Sequence, residues 1–337
     1  MANVINTSLT WSQEDAQKYF LAPLFYENEH LKGMDVITDV SGASILIDRY
    51  TSIKDITKVM HATASFTADG TQSTNNNVTL TLCRLEVEHA QKAHQLFGHI
   101  KSQLLKKGID RADMTGTVFM EIVSEIVMQG IKRDFSTILW FGDSAGEGTG
   151  TQALCNGVWK QLSLAVVATD ITLATHRVVG TNALTNLEAM LALRNNELAA
   201  AEGQLIYCSR AFADNYASQL RAADSHVAAY ADLQDGISNL RFNGVPLVVI
   251  PSWDVDITTY HATLAAMAGV LAPDAAADTQ AAIWTMDGNI TVGTDFQTQD
   301  VDMWYNRDEK ENRFRMLYSL GVAVKEPTMC VMSVETA

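Results

Sequence analysis

The run Phe141-Gly142-Asp143-Ser144-Ala145-Gly146-Glu147-Gly148-Thr149-Gly150 has the glycine spacing of a phosphate cradle, in which backbone N–H groups approach an anion closely. A P-loop also needs a lysine and then a serine or threonine after its last glycine, to reach the phosphates and magnesium. Here Gly150 is followed by Thr151 and Gln152, and the run follows a helical pattern rather than a strand. Both the P-loop and the dinucleotide fingerprint fail on these grounds. His89, His94 and His99 invite a metal reading, but their five-residue spacing turns each about 140° from the last on a helix. Chelation from one helical face needs steps of three or four, so they read as surface or interface histidines. Asp254, Asp256, Asp300, Asp302, Asp308 and Glu309 read as solvated loop charges, because nothing in their spacing sets two of them across a cleft.

Gly142-Asp143-Ser144 resembles the nucleophile block of the GDS-type esterases, which would make Ser144 the attacking hydroxyl. That family carries the block near its N-terminus after a strand, and its base lies in a late Asp-x-x-His. The chain contains no Asp-x-x-His, so Ser144 lacks an activating base. The plainer reading is a connector whose Asp143 ends a helix. Cys83, Cys155, Cys208 and Cys330 lie far apart with no CxxC pair, a pattern expected of reduced thiols rather than of a disulfide frame or zinc site. No cofactor and no catalytic or metal site is expected.

These groups sit in a chain of 337 residues, 47% hydrophobic and only 19% charged, so much of its surface is expected to face other protein. The formal charge of −15 repels phosphate backbones, and no Lys/Arg cluster compensates, which argues against a dedicated nucleic-acid grip but not against enclosure of nucleic acid. The first twenty residues lack the charged-then-apolar pattern of a secretion signal. No uncharged apolar run approaches the roughly 18 residues of a membrane span. A soluble protein made in a reducing cytoplasm is expected.

The element that must carry the glycine run lies just before it. Phe119, Ile122, Val123, Ile126, Val127, Ile131, Phe135, Ile138 and Leu139 recur at three- and four-residue steps. This predicts one helix over about 115–140, capped by Thr115, roughly 33 to 36 Å long, and closed by the glycines. Upstream, Trp11, Tyr19, Phe20, Phe25 and Tyr26 stud a segment too short for its own core, which docks on a neighbouring subunit or back on its own domain. Residues 35–88 are β-branched and turn-rich. The alternation of Val78, Leu80, Leu82, Leu85 and Val87, after Asp69-Gly70 and Asn75-Asn76-Asn77, predicts two long strands joined by a wide polar turn. Such a ribbon persists only against another surface.

Residues 89–107 read as a helix ending in Lys106-Lys107-Gly108. The texture from Val166 to Gly180 is strand-like. A helix over 184–201, a strand over 204–208, a helix over 210–222 and a strand entering 244–251 suggest a compact α/β subdomain. After an alanine-rich stretch over 262–282, β texture returns around Asp287-Gly288, and two strands end the chain. Lys310-Glu311-Asn312-Arg313, before those strands, reads as an exposed turn or an intersubunit contact. No solenoid repeat is present.

This order of elements resembles the major capsid proteins of tailed double-stranded DNA phages, the Hong Kong phage 97 fold, an α+β class. The residues that agree are Gly142-Asp143 and Asn156-Gly157-Val158-Trp159 at the end of the family's spine helix, and Gly244-Val245-Pro246-Leu247-Val248-Val249 in its axial subdomain. Asn289-Ile290-Thr291-Val292-Gly293-Thr294-Asp295 and residues 314–331, with Pro327, resemble its closing segments. The resemblance implies an N-terminal arm (1–35), an extended β-hairpin loop (36–90), a peripheral subdomain with the spine helix (91–165), an axial subdomain (166–296) and return strands of the peripheral subdomain (297–337).

It further implies a structural, non-enzymatic protein that assembles with itself into pentamers and hexamers of an icosahedral shell around double-stranded DNA. The partners implied are a separate scaffolding protein, a portal and decoration proteins. The location implied is the virion, after assembly in the host cytoplasm. Intersubunit contacts are expected at Trp11, Tyr19, Phe20 and Phe25 on the arm, Phe66, Asn75, Asn76 and Asn77 on the hairpin, and Lys310, Glu311 and Arg313. The alternatives are a tube- or sheath-forming phage structural protein and a hydrolase acting through Ser144. The family's lysine-to-asparagine crosslinking, present in one branch, has no matching residues here.

Overall fold

The computed structural model describes residues 9–10, 31–40, 42–50, 75–92, 118–144, 150–167, 177–179, 182–222, 240–266, 280–295 and 300–334. Within them the chain forms two six-stranded sheets, a separate two-stranded ribbon and a set of helices, an α+β arrangement.

The long helix, α1 (Val118–Phe141), has 24 residues and so spans about 36 Å. Its burial is uneven. Ile126 is 62% exposed, whereas Ile131 and every residue from Phe135 to Phe141 are buried. Among the side chains described, the predicted apolar stripe is buried from Ile131 onward, with Val127 and Met128 partly buried against the same core. Thr115 lies outside the described residues.

The first sheet is organised around the 14-residue strand β13 (Glu311–Val324). Its N-terminal half pairs antiparallel with β12 (Asp300–Asn306) on one side and β5 (Cys83–Gln91) on the other. Its C-terminal end pairs with β11 (Ile290–Gly293), which pairs in parallel with β2 (Asp35–Ile37). The short strand β1 (Leu9–Thr10) closes the other edge on Met303 and Asp302 of β12. The ribbon of β3 (Ser44–Tyr50) and β4 (Asn75–Thr81) stands outside both sheets.

The second sheet runs β6 (Arg177–Val179), β14 (Val331–Val334), β10 (Ala281–Met286), β7 (Gln204–Cys208), β9 (Val245–Val249) and β8 (Arg241–Phe242). Its strands alternate between two cores, as period-2 geometry requires. Leu205, Tyr207, Val248, Ala281, Ile283 and Met332 enter the large core that also holds the end of α1. Ile206, Cys208, Leu247, Ala282, Trp284 and Val331 enter a second core under α3 (Ala183–Leu193) and α5 (Arg210–Ala222). A sheet buried on both faces explains why these strands read as unbroken apolar runs.

The Asp287-Gly288 turn is where expected, with Gly288 at φ 71°, a left-handed conformation that glycine adopts without a Cβ clash. It does not close a hairpin. It carries the chain from β10 in the second sheet to β11 in the first.

Several elements differ from their sequence reading. The alternation over 78–87 belongs to two strands: β4 pairs with β3, and β5 pairs with β13. Asn75, Asn76 and Asn77 lie within β4, opposite Tyr50, Arg49 and Asp48, rather than in a turn. His89, expected to open a helix, lies in β5 opposite Phe314, because cross-strand pairing to β13 outweighs the local helical pattern. The remainder of that expected helix, with His94 and His99, lies outside the described residues.

α2 (Val158–Val167) is helical, with Val158, Trp159, Leu162 and Ala165 buried at three- and four-residue steps, and it takes in Val166 and Val167. The helix expected over 184–201 is two, α3 and α4 (Asn196–Ala200), because Arg194 and Asn195 adopt extended backbone and Asn195 Oδ1 caps Leu198 N at 2.7 Å. α6 (Ser252–Ala266) was not legible as a helix. It also corrects the reading of two carboxylates: Asp254 and Asp256 are helical, and Asp256 is buried.

Candidate interaction surface

The long helix ends where several segments converge. Phe141 O accepts from Gln152 Nε2 at 2.9 Å, and Asp143 N donates to Gln152 O at 2.8 Å, so the chain folds back on the helix end. Two glycines allow the return. A Cβ on Gly142 would stand 2.2 Å from the carbonyl oxygen of Cys155, and one on Gly157 would stand 2.7 Å from both Gly142 N and Ile138 O. Asp143 is buried and ion-paired with Lys160 of α2 at 3.0 Å. Thus Asp143 fastens α2 to the helix end rather than merely terminating the helix.

Beneath this turn lies an aromatic cluster. Trp140 meets Tyr207 and Trp253 edge-on at centroid distances of 5.0 and 4.9 Å, and Trp159 meets Trp253 at 5.7 Å. Such edge-to-face pairs add about 0.5–1.5 kcal/mol each beyond burial. They join α1, α2, α6 and β7 into one rigid base.

The same base carries a buried acid. Thr137 Oγ1 of α1 donates to Asp256 Oδ1 of α6 at 2.9 Å, while Asp256 Oδ2 is buried with no hydrogen-bond partner among the described residues. Burial pushes the Asp256 carboxyl up to about 6, with Asp134 raising it further and Thr137 and Arg133 opposing.

The ribbon is attached to this body at its root. Leu80 of β4 is fully buried, and a Cβ on Gly293 or Gly321 would come within 2.5 or 2.8 Å of its Cδ2. Those two glycines make the socket that holds Leu80. Leu82 N donates to Ala43 O at 2.8 Å, closing the base of the ribbon. Away from the root the apolar side chains are less covered, and Leu46 is 60% exposed.

Cys83 and Cys155 form a disulfide across the same root, with Cα atoms 6.0 Å apart and a sequence separation of 72. This corrects the expectation of four reduced thiols. Sequence distance hid the pair, since the fold-back after α1 brings Cys155 beneath the start of β5. Cys208 and Cys330 are free and buried, and burial raises both thiol pKa values.

The expected contact residues divide. Glu311 and Arg313 lie at the start of β13, beside the exposed turn that ends at Lys310, whose φ is 54°. Arg313 pairs with Glu309 and with Glu311 at 3.7 Å, and Lys92 reaches Glu311 at 3.4 Å. Two residues further along the same strand, Arg315 Nε meets Glu86 of the neighbouring β5 at 2.5 Å, a contact that raises the guanidinium pKa. This end of the sheet is therefore a mixed-charge ladder with its partners supplied in part by the chain itself. Trp11, Tyr19, Phe20, Phe25 and Phe66 lie outside the described residues.

Ser144 Oγ donates to Asn156 Oδ1 at 3.0 Å, and Ser144 N donates to the same oxygen. An amide oxygen is no general base, so this contact gives the hydroxyl no activation. Among the described residues no group of three or more His, Cys, Asp or Glu side chains is arranged to hold a metal ion, and no helix is long and apolar enough to cross a membrane.

No protein-family model and no curated protein sequence matches the chain. Solved structures do. A chain from the satellite phage P4 procapsid superposes with a TM-score of 0.52 at 11% identity, covering 91% of this chain and 95% of its own. The capsid of the native GTA particle gives a TM-score of 0.53 at 10% identity, covering 92% and 91%. A structure of Gordonia phage Cozz gives 0.56 at 11% identity, covering 92% and 87%. The chain has the phage major capsid fold. The likeness runs over 91–92% of this chain and 87–95% of the matched chains.

Proposed function

We propose that the chain is a shell-forming structural protein, the major capsid protein of a tailed phage, which assembles into pentamers and hexamers around double-stranded DNA. The observation that carries this reading is the full-length likeness to capsid chains at identities of 10–11%, where shared architecture rather than shared sequence is being detected. The ribbon supports it. A two-stranded ribbon is only marginally stable in water, and this one is joined to its body at Leu80 and carries Leu46 in the open. A neighbouring copy laid against it supplies the missing surface.

In this reading the base around Trp140, Trp159 and Trp253 gives each subunit rigidity, while the ribbon and the aromatic N-terminal segment reach adjacent subunits. Contacts modest per pair become large when every copy touches several others. Asn75, Asn76 and Asn77 on β4 and Lys310, Glu311 and Arg313 at the β12–β13 turn are the proposed polar contacts. The formal charge of −15 lets packaged DNA slide along the wall instead of adhering. Scaffolding, portal and decoration proteins would be separate chains.

The test is electron microscopy and sedimentation velocity of the purified chain across concentration, salt and crowding agent. Closed shells or their pentameric and hexameric capsomers are the expected result. A chain that stays monomeric under every condition, or forms only open tubes, overturns the closed-shell reading.

A further inference from the structure

Two of the four cysteines occupy a place where a covalent bond changes what the molecule can do. Cys83 is the first residue of β5, two residues beyond the end of the ribbon strand β4, and is half-buried. Cys155 is buried in the fold-back after α1, between the glycine contacts that press this segment onto the helix end. A bond between them ties the ribbon root to the end of the long helix. Without it, the root is held by the Leu80 socket and by the pairing of β5 with β13.

The site accommodates the reduced state as well. Cys155 Sγ lies 3.3 Å from the carbonyl oxygen of Leu320 in β13, so a thiol there has an acceptor within reach once the two sulfurs part to van der Waals separation. The other two cysteines contrast with this pair: both are fully buried, with thiol pKa values raised by burial, which disfavours the reactive thiolate.

We propose that Cys83 and Cys155 are an oxidative modification site, closed by a small-molecule disulfide of the glutathione class and opened by the corresponding thiol. Cys83 is the entry point, because it is the more exposed of the two. Its thiolate attacks one sulfur of the small disulfide, whose S–S bond breaks. One small thiolate leaves, takes up a proton, and a mixed disulfide remains on Cys83. The Cys155 thiolate then attacks the Cys83 sulfur and expels the second small thiolate, which is likewise protonated. The two cysteines lose two electrons and two protons, and one small disulfide becomes two thiols. Reducing conditions during synthesis keep the pair open and leave the ribbon free to pivot on Leu80; oxidising surroundings fix its angle.

The test counts thiols on the dispersed chain, so it is independent of whether the chain forms shells. Native protein is treated with oxidised glutathione, or with dithiothreitol, then denatured and alkylated. Mass spectrometry is expected to find two alkylated cysteines after oxidised glutathione, Cys208 and Cys330, and all four after dithiothreitol. Peptide mapping should place the cross-link between Cys83 and Cys155. Closing a loop of 72 residues should raise the midpoint of thermal unfolding by on the order of 5 °C, a shift absent in Cys83→Ser/Cys155→Ser. Four free thiols after oxidised glutathione, or stable glutathione adducts on Cys83 with no cross-link, would overturn the proposal. So would a cross-link that dithiothreitol opens only in denaturant.

Discussion

Asp256 is a carboxyl group enclosed by two helices, and its behaviour can be stated as a sign. Its folded pKa is raised from 3.8 to about 6, so the folded state binds the proton more tightly than the unfolded chain does. The stabilisation this provides is fully present below about pH 4 and is lost as pH rises through 6. At neutral pH the ionised carboxylate is a liability of about 3 kcal/mol. Asp256→Asn keeps an oxygen for the Thr137 hydroxyl and removes the charge. It should raise the unfolding midpoint at pH 7.5, with the gap to the unsubstituted chain closing by pH 4.5, as read by calorimetry at both pH values. A constant difference between the two proteins across that range would contradict the assignment. Gly157 makes a second prediction at this scale. Alanine there would drive a Cβ into three backbone atoms of α1 and its end, so Gly157→Ala should destabilise the chain by about 2 kcal/mol or more in urea titrations.

Among elements, the ribbon and its socket are the most consequential joint. Leu80 is fully buried against Gly293 and Gly321, so Leu80→Ala empties the socket. A cost of about 2–5 kcal/mol is expected in chemical denaturation under reducing conditions, where the cysteine pair cannot compensate. This scale also shows what could be read in advance. The long helix, β7, α5, β9 and the Asp287-Gly288 turn were legible, because each carries a strong period or an unambiguous turn pair. Three features were not. β5 looked like the continuation of β4 because the alternation runs straight through Leu82, and only the partner strand β13, over two hundred residues later, separates them. α6 was hidden because Ser252–Ala266 carries a Trp and an Asp inside the core with threonines around them, so no clean apolar stripe shows. The Cys83–Cys155 pair, 72 residues apart, has no local signature at all. The contact residues stand out in the sequence by type, and type alone does not say that Arg313 already has two carboxylates of its own chain beside it.

For the molecule as a whole, the shell reading separates folding from assembly. Replacing Trp11, Tyr19, Phe20 and Phe25 together by alanine should leave the thermal transition of the chain within a few degrees of its original midpoint while abolishing particles in sedimentation velocity. Loss of both together would place those rings in the subunit's own core instead. The two sheets have one further property that bears on how such a subunit is made. The hub of the first sheet, β13, and a strand set between β6 and β10 in the second, β14, lie side by side at residues 311–334. Neither sheet can close until that stretch has left the ribosome. A nascent chain therefore keeps both sheets unfinished until residues 311–334 emerge, and completes the two almost together.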